Sequence, residues 1–454
     1  MQFYRELSHI DIVVGSGNSG VTGVHWAVSQ ATAIRDVRIH TGDGKQGVFC
    51  ENGSGGWISD LVITGGDIGI NIGSQQWTMR NITVSGSRQQ CINVIWNWEM
   101  VLMGLVLSNC PNAIAFTGGS TGSLLILDST ITDVSVGVST GYPARSPQQG
   151  LLLENLTATR VPTLATGVPG DASGTVVVPL WVQGVIYNGS TPAGGPVQRM
   201  LPPTRSTALP GGPRPDYPSE TFFNAVTDGG AVGDGVADDT KALQASFAGH
   251  RFVFLPGGEY RVSDTLQLQP DAVVIGEGFS TITAIGGSPV WANAAAPAPM
   301  LAVPSGGVVT LASLMLSVSG DAPGAILLSW STGPASTTHD VHFRVEHTVH
   351  TLWSVTGAST GGVFENSWAW VADHDINGGG PLAVVSPRGI HVEGVAGGPL
   401  TFLGVAAEHS MEFQYNISAS SGITIVMAQT EVSCSAATAS TSWHDVERFT
   451  HTFM

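Results

Sequence analysis

Seven short segments carry the reading of this chain: Asp11-Ile12-Val13-Val14, Asp36-Val37-Arg38-Ile39, Asp60-Leu61-Val62-Ile63, Asn81-Ile82-Thr83-Val84, Gly104-Leu105-Val106-Leu107, Asp128-Ser129-Thr130-Ile131 and Asn155-Leu156-Thr157-Ala158. Each is a small or polar residue followed by alternating apolar positions. The anchors recur at nearly even steps along the first third of the chain. Between most of them lies a second apolar segment, such as Gly69-Ile70-Asn71-Ile72 or Ala113-Ile114-Ala115-Phe116. Gly, Asn and Ser separate the segments, and helical periodicity never lasts beyond two turns. A period of roughly 24 residues with short strands and no helix predicts a parallel β-helix, each coil stacked on the last at about 4.8 Å. Leucine-rich repeats have a similar period but a Leu/Asn consensus that is absent here, and propeller blades run to about 40 residues or more. Inward positions should form apolar ladders, and Asp, Asn or Gly should take tight corners where φ is positive.

The repeat fades near Gly174–Tyr187. Residues 191–220 then carry prolines at 192, 196, 202, 203, 210, 213, 215 and 218, which predicts an extended connector. A new start follows at Asp228–Thr240, where Asp238, Asp239 or Thr240 can cap a short helix through Leu243 that closes the end of a second β-helix. Strands resume at Phe252-Val253-Phe254-Leu255 and Ala272-Val273-Val274-Ile275. Further anchors stand at Ser313, Asp340, Asn366, Gly389 and Gly422. The expected architecture is all-β, with two tandem right-handed parallel β-helices: residues 1–190, a Pro-rich linker 191–220, residues 221–431 and a tail 432–454.

Composition narrows the function. Charged residues are only 11% of 454, with 34 acids against 17 bases and a formal net charge of -17. Lys45 and Lys241 are the only lysines. Nucleic acid and anionic membranes need clustered cations, so neither is an expected partner. A polyanionic sugar would be repelled, whereas a neutral one would not. No apolar run reaches the length of a membrane span. Residues 1–12 include Arg5, Glu6, His9 and Asp11 and do not read as a signal peptide. Even so, the Gly/Ser/Thr-rich composition and N-x-Ser/Thr sequons at Asn52, Asn81, Asn155, Asn188 and Asn416 favour a secreted protein. Cys50, Cys91, Cys110 and Cys434 lack zinc-ligand spacing, which leaves either one disulfide or buried thiols. His339, His342, His347 and His350 are closely spaced but fit no standard metal motif. No cofactor or metal is expected, and the chain is expected to be a monomer.

Several segments, taken in order, resemble glycoside hydrolase family 55, the exo-β-1,3-glucanases. In the first half these are Phe3–Leu7, His25–Thr32, Asn52–Gly56, Gln75–Asn81 and Asn97-Trp98. In the second they are Gly233–Thr240, Trp368–Asp375, Ala407-Glu408-His409, Gln414-Tyr415 and Gln429-Thr430-Glu431. The resemblance implies two pectate-lyase-like β-helices side by side with the active site between them. It also implies hydrolysis of neutral β-1,3-glucan from the non-reducing end with inversion. It departs at both ends. The family has coils before the point matching Met1, and after Glu431 this sequence turns to low complexity, so a fragment or misassembled gene product is expected.

Inversion requires one carboxylic acid to protonate the leaving oxygen and a second carboxylate to activate water, about 6.5–9.5 Å apart. Glu408 and Glu431 are separated by the length of one coil, so they can occupy adjacent rungs of one face. Neighbouring carboxylates also favour one member staying protonated. The resemblance makes Glu431 the general acid and puts Glu408 on the base side; without it, two solvated surface glutamates would be the plainer reading. Gln30 and Ser54 are separated by the same step as Asp36 and Asp60, and should also stack. By resemblance they hold the attacking water, with Glu51 as a nearby alternative; otherwise they are an amide and a hydroxyl decorating a coil. Trp370 and Asp373 match a glucose-binding Trp-x-x-Asp, with Trp368, His374 and Asp375 as possible substitutes and core packing as the alternative for the tryptophan. Two other functions remain in view: a polysaccharide lyase, disfavoured by the scarcity of bases, and an inactive β-helix that binds glucan or nothing.

Overall fold

The computed structural model describes residues 2–431 apart from 120, 144–145, 147–148, 189–190, 193, 203–207, 210–216, 218, 375–381, 383 and 397. Among the described residues the regular structure is strand, except for the helix Thr240–Gly249 and a 3-10 turn at Pro289–Trp291. No described helix is long and apolar enough to cross a membrane. The chain divides into two compact units, Met1–Asp216 and Tyr217–Met454. Each is a solenoid of stacked parallel coils.

In the first unit, Ile12, Ile39, Ile63, Val84, Leu107, Ile131 and Ala158 lie on successive rungs in parallel register. Ile39 to Ile131 of this ladder are fully buried. Alternation sends every second side chain inward, and stacking removes both edges of each from water, so the apolar spacing dictates the register.

The corners behave as the anchors predict. Positive φ occurs at Asp36 (46°), Asp60 (54°), Asn81 (58°), Gly104 (63°), Asp128 (49°) and Asn155 (52°). The left-handed region suits Gly, Asn and Asp because a short polar side chain can satisfy itself locally. Here the amides also bind between rungs: Asn81 Nδ2 donates to Asp60 Oδ1 at 2.7 Å, and Asn155 Nδ2 to Asp128 Oδ1 at 2.7 Å. The first anchor needs correction. Ile10 pairs with Val37, so His9 (φ 55°), not Asp11, stacks on Asp36, with Nδ1 2.8 Å from the carboxylate. Histidine tolerates this conformation too, which disguised the corner.

The parallel stack ends at Leu151–Ala165, which pairs antiparallel with Val168–Gly184. Part of the Pro-rich stretch then joins the sheet, since Val197–Met200 pairs antiparallel with Trp181–Gly184. Cys91 and Cys110 form a disulfide, and Cys50 is a buried thiol whose burial pushes its pKa up. Cys434 lies outside the described residues.

The second unit has two parallel sheets. The larger runs through Phe252–Leu255, Val273–Ala284, Thr310–Val318, Thr337–Val345, Gly362–Val371, Leu400–Glu408 and Ile423–Glu431. The smaller runs through Ala298–Val303, Ala322–Trp330, Val349–Thr356, Arg388–Glu393 and Phe413–Ser418. Phe343, Trp353, Phe364 and Phe402 pack in its core. Helix Thr240–Gly249 adds Leu243 and Phe247 to that core at the first coil. Asp238 Oδ1 accepts from Thr240 N at 3.0 Å at the helix start, while Asp239 binds the backbone of Val232 and Gly233.

The corner ladder here is Phe279, Ser313, Asp340, Asn366, Gly404 and Met427, all at positive φ. Two anchors therefore move. Gly389 lies within Arg388–Glu393 of the smaller sheet, and Gly422 precedes the last strand of the larger one. Gly404 and Met427 hold the stacked corners instead, and nothing in the residue type of Met427 marks a left-handed position.

Candidate active site

On the last coils of the larger sheet two outward ladders run side by side. One is Ser317, Arg344, Trp370, Glu408 and Glu431. The other, two residues earlier on each strand, includes Trp368, Ala406 and Gln429. The two-residue period puts both sets on one face, because the core takes Ala369, Val371, Val405 and Ala407.

This face is not bare. Trp368 and Trp370 stack with ring centroids 4.5 Å apart, and both are buried. The Arg344 guanidinium lies 6.0 Å from the Trp370 ring, and the His374 ring 5.1 Å from it. Glu408 is buried and accepts a hydrogen bond from Gln429 Nε2. Glu431 is open, with its side chain 59% exposed. Behind them, Tyr415 donates its hydroxyl to Val405 O at 2.7 Å. Burial, reinforced by the Glu408 charge, holds that phenol's pKa well above its ordinary value, so it stays a donor.

His409, next to Glu408 in sequence, ties the group together. Its Nδ1 lies 3.2 Å from Val371 O and 3.5 Å from Asp373 Oδ1, and its Nε2 lies 3.8 Å from Glu431 Oε1. Asp373 Oδ1 also meets His374 Nδ1 at 2.7 Å. Glu408, Glu431, Trp370 and Asp373 thus come together in the second unit. Asp375 lies outside the described residues. Glu408, His409 and Glu431 form the one group among the described residues whose ligand atoms converge, all within 4.8 Å of one another. His339, His342 and His350 do not converge: they bind Glu365, the Trp368 amide and Arg388 respectively.

In the first unit, Ser54 Oγ donates to Gln30 Oε1, and Ser29 Oγ lies 3.2 Å from the same oxygen and also bonds Ser54. Gln76 Nε2 holds Ser54 O at 2.9 Å. Glu51, the alternative to Ser54, is bound by His25 Nε2 at 3.1 Å. The amide oxygen of Gln30 accepts from the Ser54 hydroxyl, and its NH₂ is a donor.

Sequence reasoning missed three contributors. His409 and Gln429 stood inside quoted motifs, and their spacing from Glu408 and Glu431 was the available signal. Arg344 carried none, because its place beside the site follows only from the pairing of its strand, which sets Arg344 against Trp370.

A family model described as "Rhamnogalacturonase A/epimerase, pectate lyase-like" matches residues 1–115 and 222–393. A glucan 1,3-beta-glucosidase of Cochliobolus carbonum is 31% identical over 94% of this chain and 61% of its own length. The non-secreted LysM effector LysM15 of Penicillium expansum is 28% identical over 93% of this chain and 34% of its own. A probable glucan endo-1,3-beta-glucosidase of Arthroderma benhamiae is 27% identical over 94% and 66%. The chain thus spans between about one third and two thirds of the length of these three relatives. Kinship with glucanases agrees with the motif resemblance read from the sequence.

Proposed function

The chain belongs to the rhamnogalacturonase A/epimerase, pectate lyase-like family, and we propose that within it this protein is a hydrolase of neutral β-1,3-glucan. The observation that carries the reading is the rung that sets Trp370, Glu408 and Glu431 side by side, with Asp373 close by. Glu431, the exposed member, protonates the departing glycosidic oxygen. Glu408, held by Gln429, stands on the base side. Trp370 and Asp373 form the glucose subsite. Two glucan-hydrolysing relatives and a net charge of -17, unfavourable for uronates, favour a neutral glucan over the lyase reading. The sequons and the Cys91–Cys110 disulfide favour action outside the cell.

Inversion is the outcome proposed, by release of glucose from the non-reducing end. A specific observation supports a second reading. Oxygens of Glu408 and Glu431 lie within 4.8 Å, nearer the 5–5.5 Å spacing of retaining pairs than the roughly 6.5–9.5 Å of inverting ones. Inversion then requires Glu408, the base-side carboxylate, to take the proton of the attacking water through a relay rather than directly.

One experiment tests the reading: laminarin hydrolysis followed by ¹H NMR of the first anomer released. α-Glucose supports inversion, and β-glucose supports the retaining dyad. In Glu431→Gln, laminarin hydrolysis should fall by about 10²–10⁴-fold, the worth of a general acid. An aryl β-glucoside, whose leaving group needs less protonation, should lose less. Equal losses on both substrates would give Glu431 another role, and full activity would remove it from the site. An absorbance rise at 235 nm on pectate or alginate would instead indicate a lyase.

A further inference from the structure

We infer that Glu408, His409 and Glu431 form a binding site for a divalent transition-metal ion, of which Zn²⁺ is the fitting case. Val371 O and Asp373 Oδ1, the two groups facing His409 Nδ1, are both acceptors, at 3.2 and 3.5 Å. Nδ1 therefore carries the hydrogen, and in the neutral tautomer the lone pair stands on Nε2. That nitrogen has no hydrogen-bond partner. The ring is 5% exposed, which keeps bulk water away from it. It is aimed at a carboxylate oxygen, Glu431 Oε1, 3.8 Å away. Two electron-rich atoms thus face each other, the nitrogen buried and the Glu431 oxygen on an exposed side chain, with a Glu408 carboxylate oxygen within 4.8 Å of both. A buried polar atom left in this state costs free energy that a cation between the acceptors would remove.

The donor set selects the cation. One imidazole and two carboxylates suit Zn²⁺, with bonds of about 2.0–2.2 Å, whereas Mg²⁺ and Ca²⁺ prefer oxygen alone. Tetrahedral bonds of that length put ligand atoms about 3.4 Å apart. The His409–Glu431 pair is already near that spacing. Glu431, being exposed, can close the remainder and leaves a path for the ion to enter. The backbone carbonyl on Nδ1 is the usual outer partner of a metal-bound histidine, fixing both tautomer and ring orientation. An ion here would occupy the carboxylate proposed as the general acid. Inhibition of glucan hydrolysis by Zn²⁺ rests on that functional reading; binding itself does not.

Isothermal titration of the full chain with ZnCl₂, with MgCl₂ as control, tests the site. One Zn²⁺ per chain is expected, bound at least tenfold more weakly by His409→Ala and by Glu431→Gln, with no matching Mg²⁺ site. Glu431→Gln alters an exposed side chain, so its melting temperature should match the parent and separate lost binding from misfolding. No Zn²⁺ binding at millimolar concentration, or equal affinity in parent and Glu431→Gln, overturns the site. Laminarin hydrolysis is assayed in parallel. Inhibition by Zn²⁺ that EDTA reverses is expected. Binding lost in Glu431→Gln but without effect on hydrolysis would keep the metal site and overturn the acid role of Glu431.

Discussion

The hydrogen-bonded rung of His339 and Glu365 offers a direct test of how this solenoid tolerates polarity. The two residues are register partners on adjacent strands, His339 Nδ1 and Glu365 Oε2 lie 2.9 Å apart, and the side chains are 4% and 2% exposed. Their rung continues to apolar residues, Ala312 on one side and Leu403 on the other. Glu365→Ala removes the acceptor and strands the imidazole. Losing one partner of a buried ion pair costs about 3–5 kcal/mol, and losing a neutral hydrogen bond about 1–3 kcal/mol. The two ranges meet at about 3 kcal/mol. For a unit of 150–250 residues each kcal/mol moves the melting temperature by about 2–4 °C, so Glu365→Ala should melt about 6–12 °C lower. Glu365→Gln keeps an acceptor oxygen and should lose no more than about 1 kcal/mol. His339→Leu combined with Glu365→Leu removes both polar groups and should recover most of the loss. Scanning calorimetry of the four proteins measures this. A Glu365→Ala variant melting within about 1 °C of the parent would refute the argument, because the pair would then contribute nothing that burial requires.

Three further outcomes follow from the same geometry. Burial, with the Arg388 guanidinium adding to it, lowers the pKa of His350 below its ordinary value. The unfolded chain therefore binds the extra proton first, and stability is lost as pH falls from about 6.5 toward the lowered value; thermal melts at pH 7.5 and 5.5 should show a smaller drop in His350→Gln, and an identical drop would refute it. The Cys91–Cys110 disulfide joins residues 19 apart in sequence, so the Cys91→Ala/Cys110→Ala variant should lose about 3 kcal/mol by urea unfolding. Asn81→Ala removes the bond to Asp60 and forces a Cβ residue into φ 58°, costing about 2–3 kcal/mol, whereas Asn81→Gly should recover the backbone part. Equal losses in Ala and Gly would show that the corner conformation carries no cost.

The sequence alone determined the architecture, because a stacked coil repeats its own constraints. Each rung of Ile39, Ile63, Val84 and Leu107 needs an apolar residue, and each corner at Asp36, Asp60, Asn81 or Gly104 favours a residue that accepts positive φ. Repetition once per coil writes both demands into one dimension. Where a corner lacks a marking residue, as at His9 and Met427, the pattern slipped along the strand or settled on another glycine. The Glu408–Glu431 neighbourhood was legible for the same reason, one coil apart, and so was the Gln30–Ser54 contact. What lies across an outward face was not. The burial of Trp370, its guanidinium neighbour Arg344, and His409 with its Nε2 turned toward Glu431 depend on the steps from Arg344 to Trp370 and from Trp370 to Glu408. Those steps are unequal, because the loops between strands vary from coil to coil. Loop length is free in a β-helix, since it alters neither the core nor the stacking distance. Only the tertiary structure, which sums those lengths, decides which side chains share a rung, and with it how close two carboxylates and an imidazole come to one another.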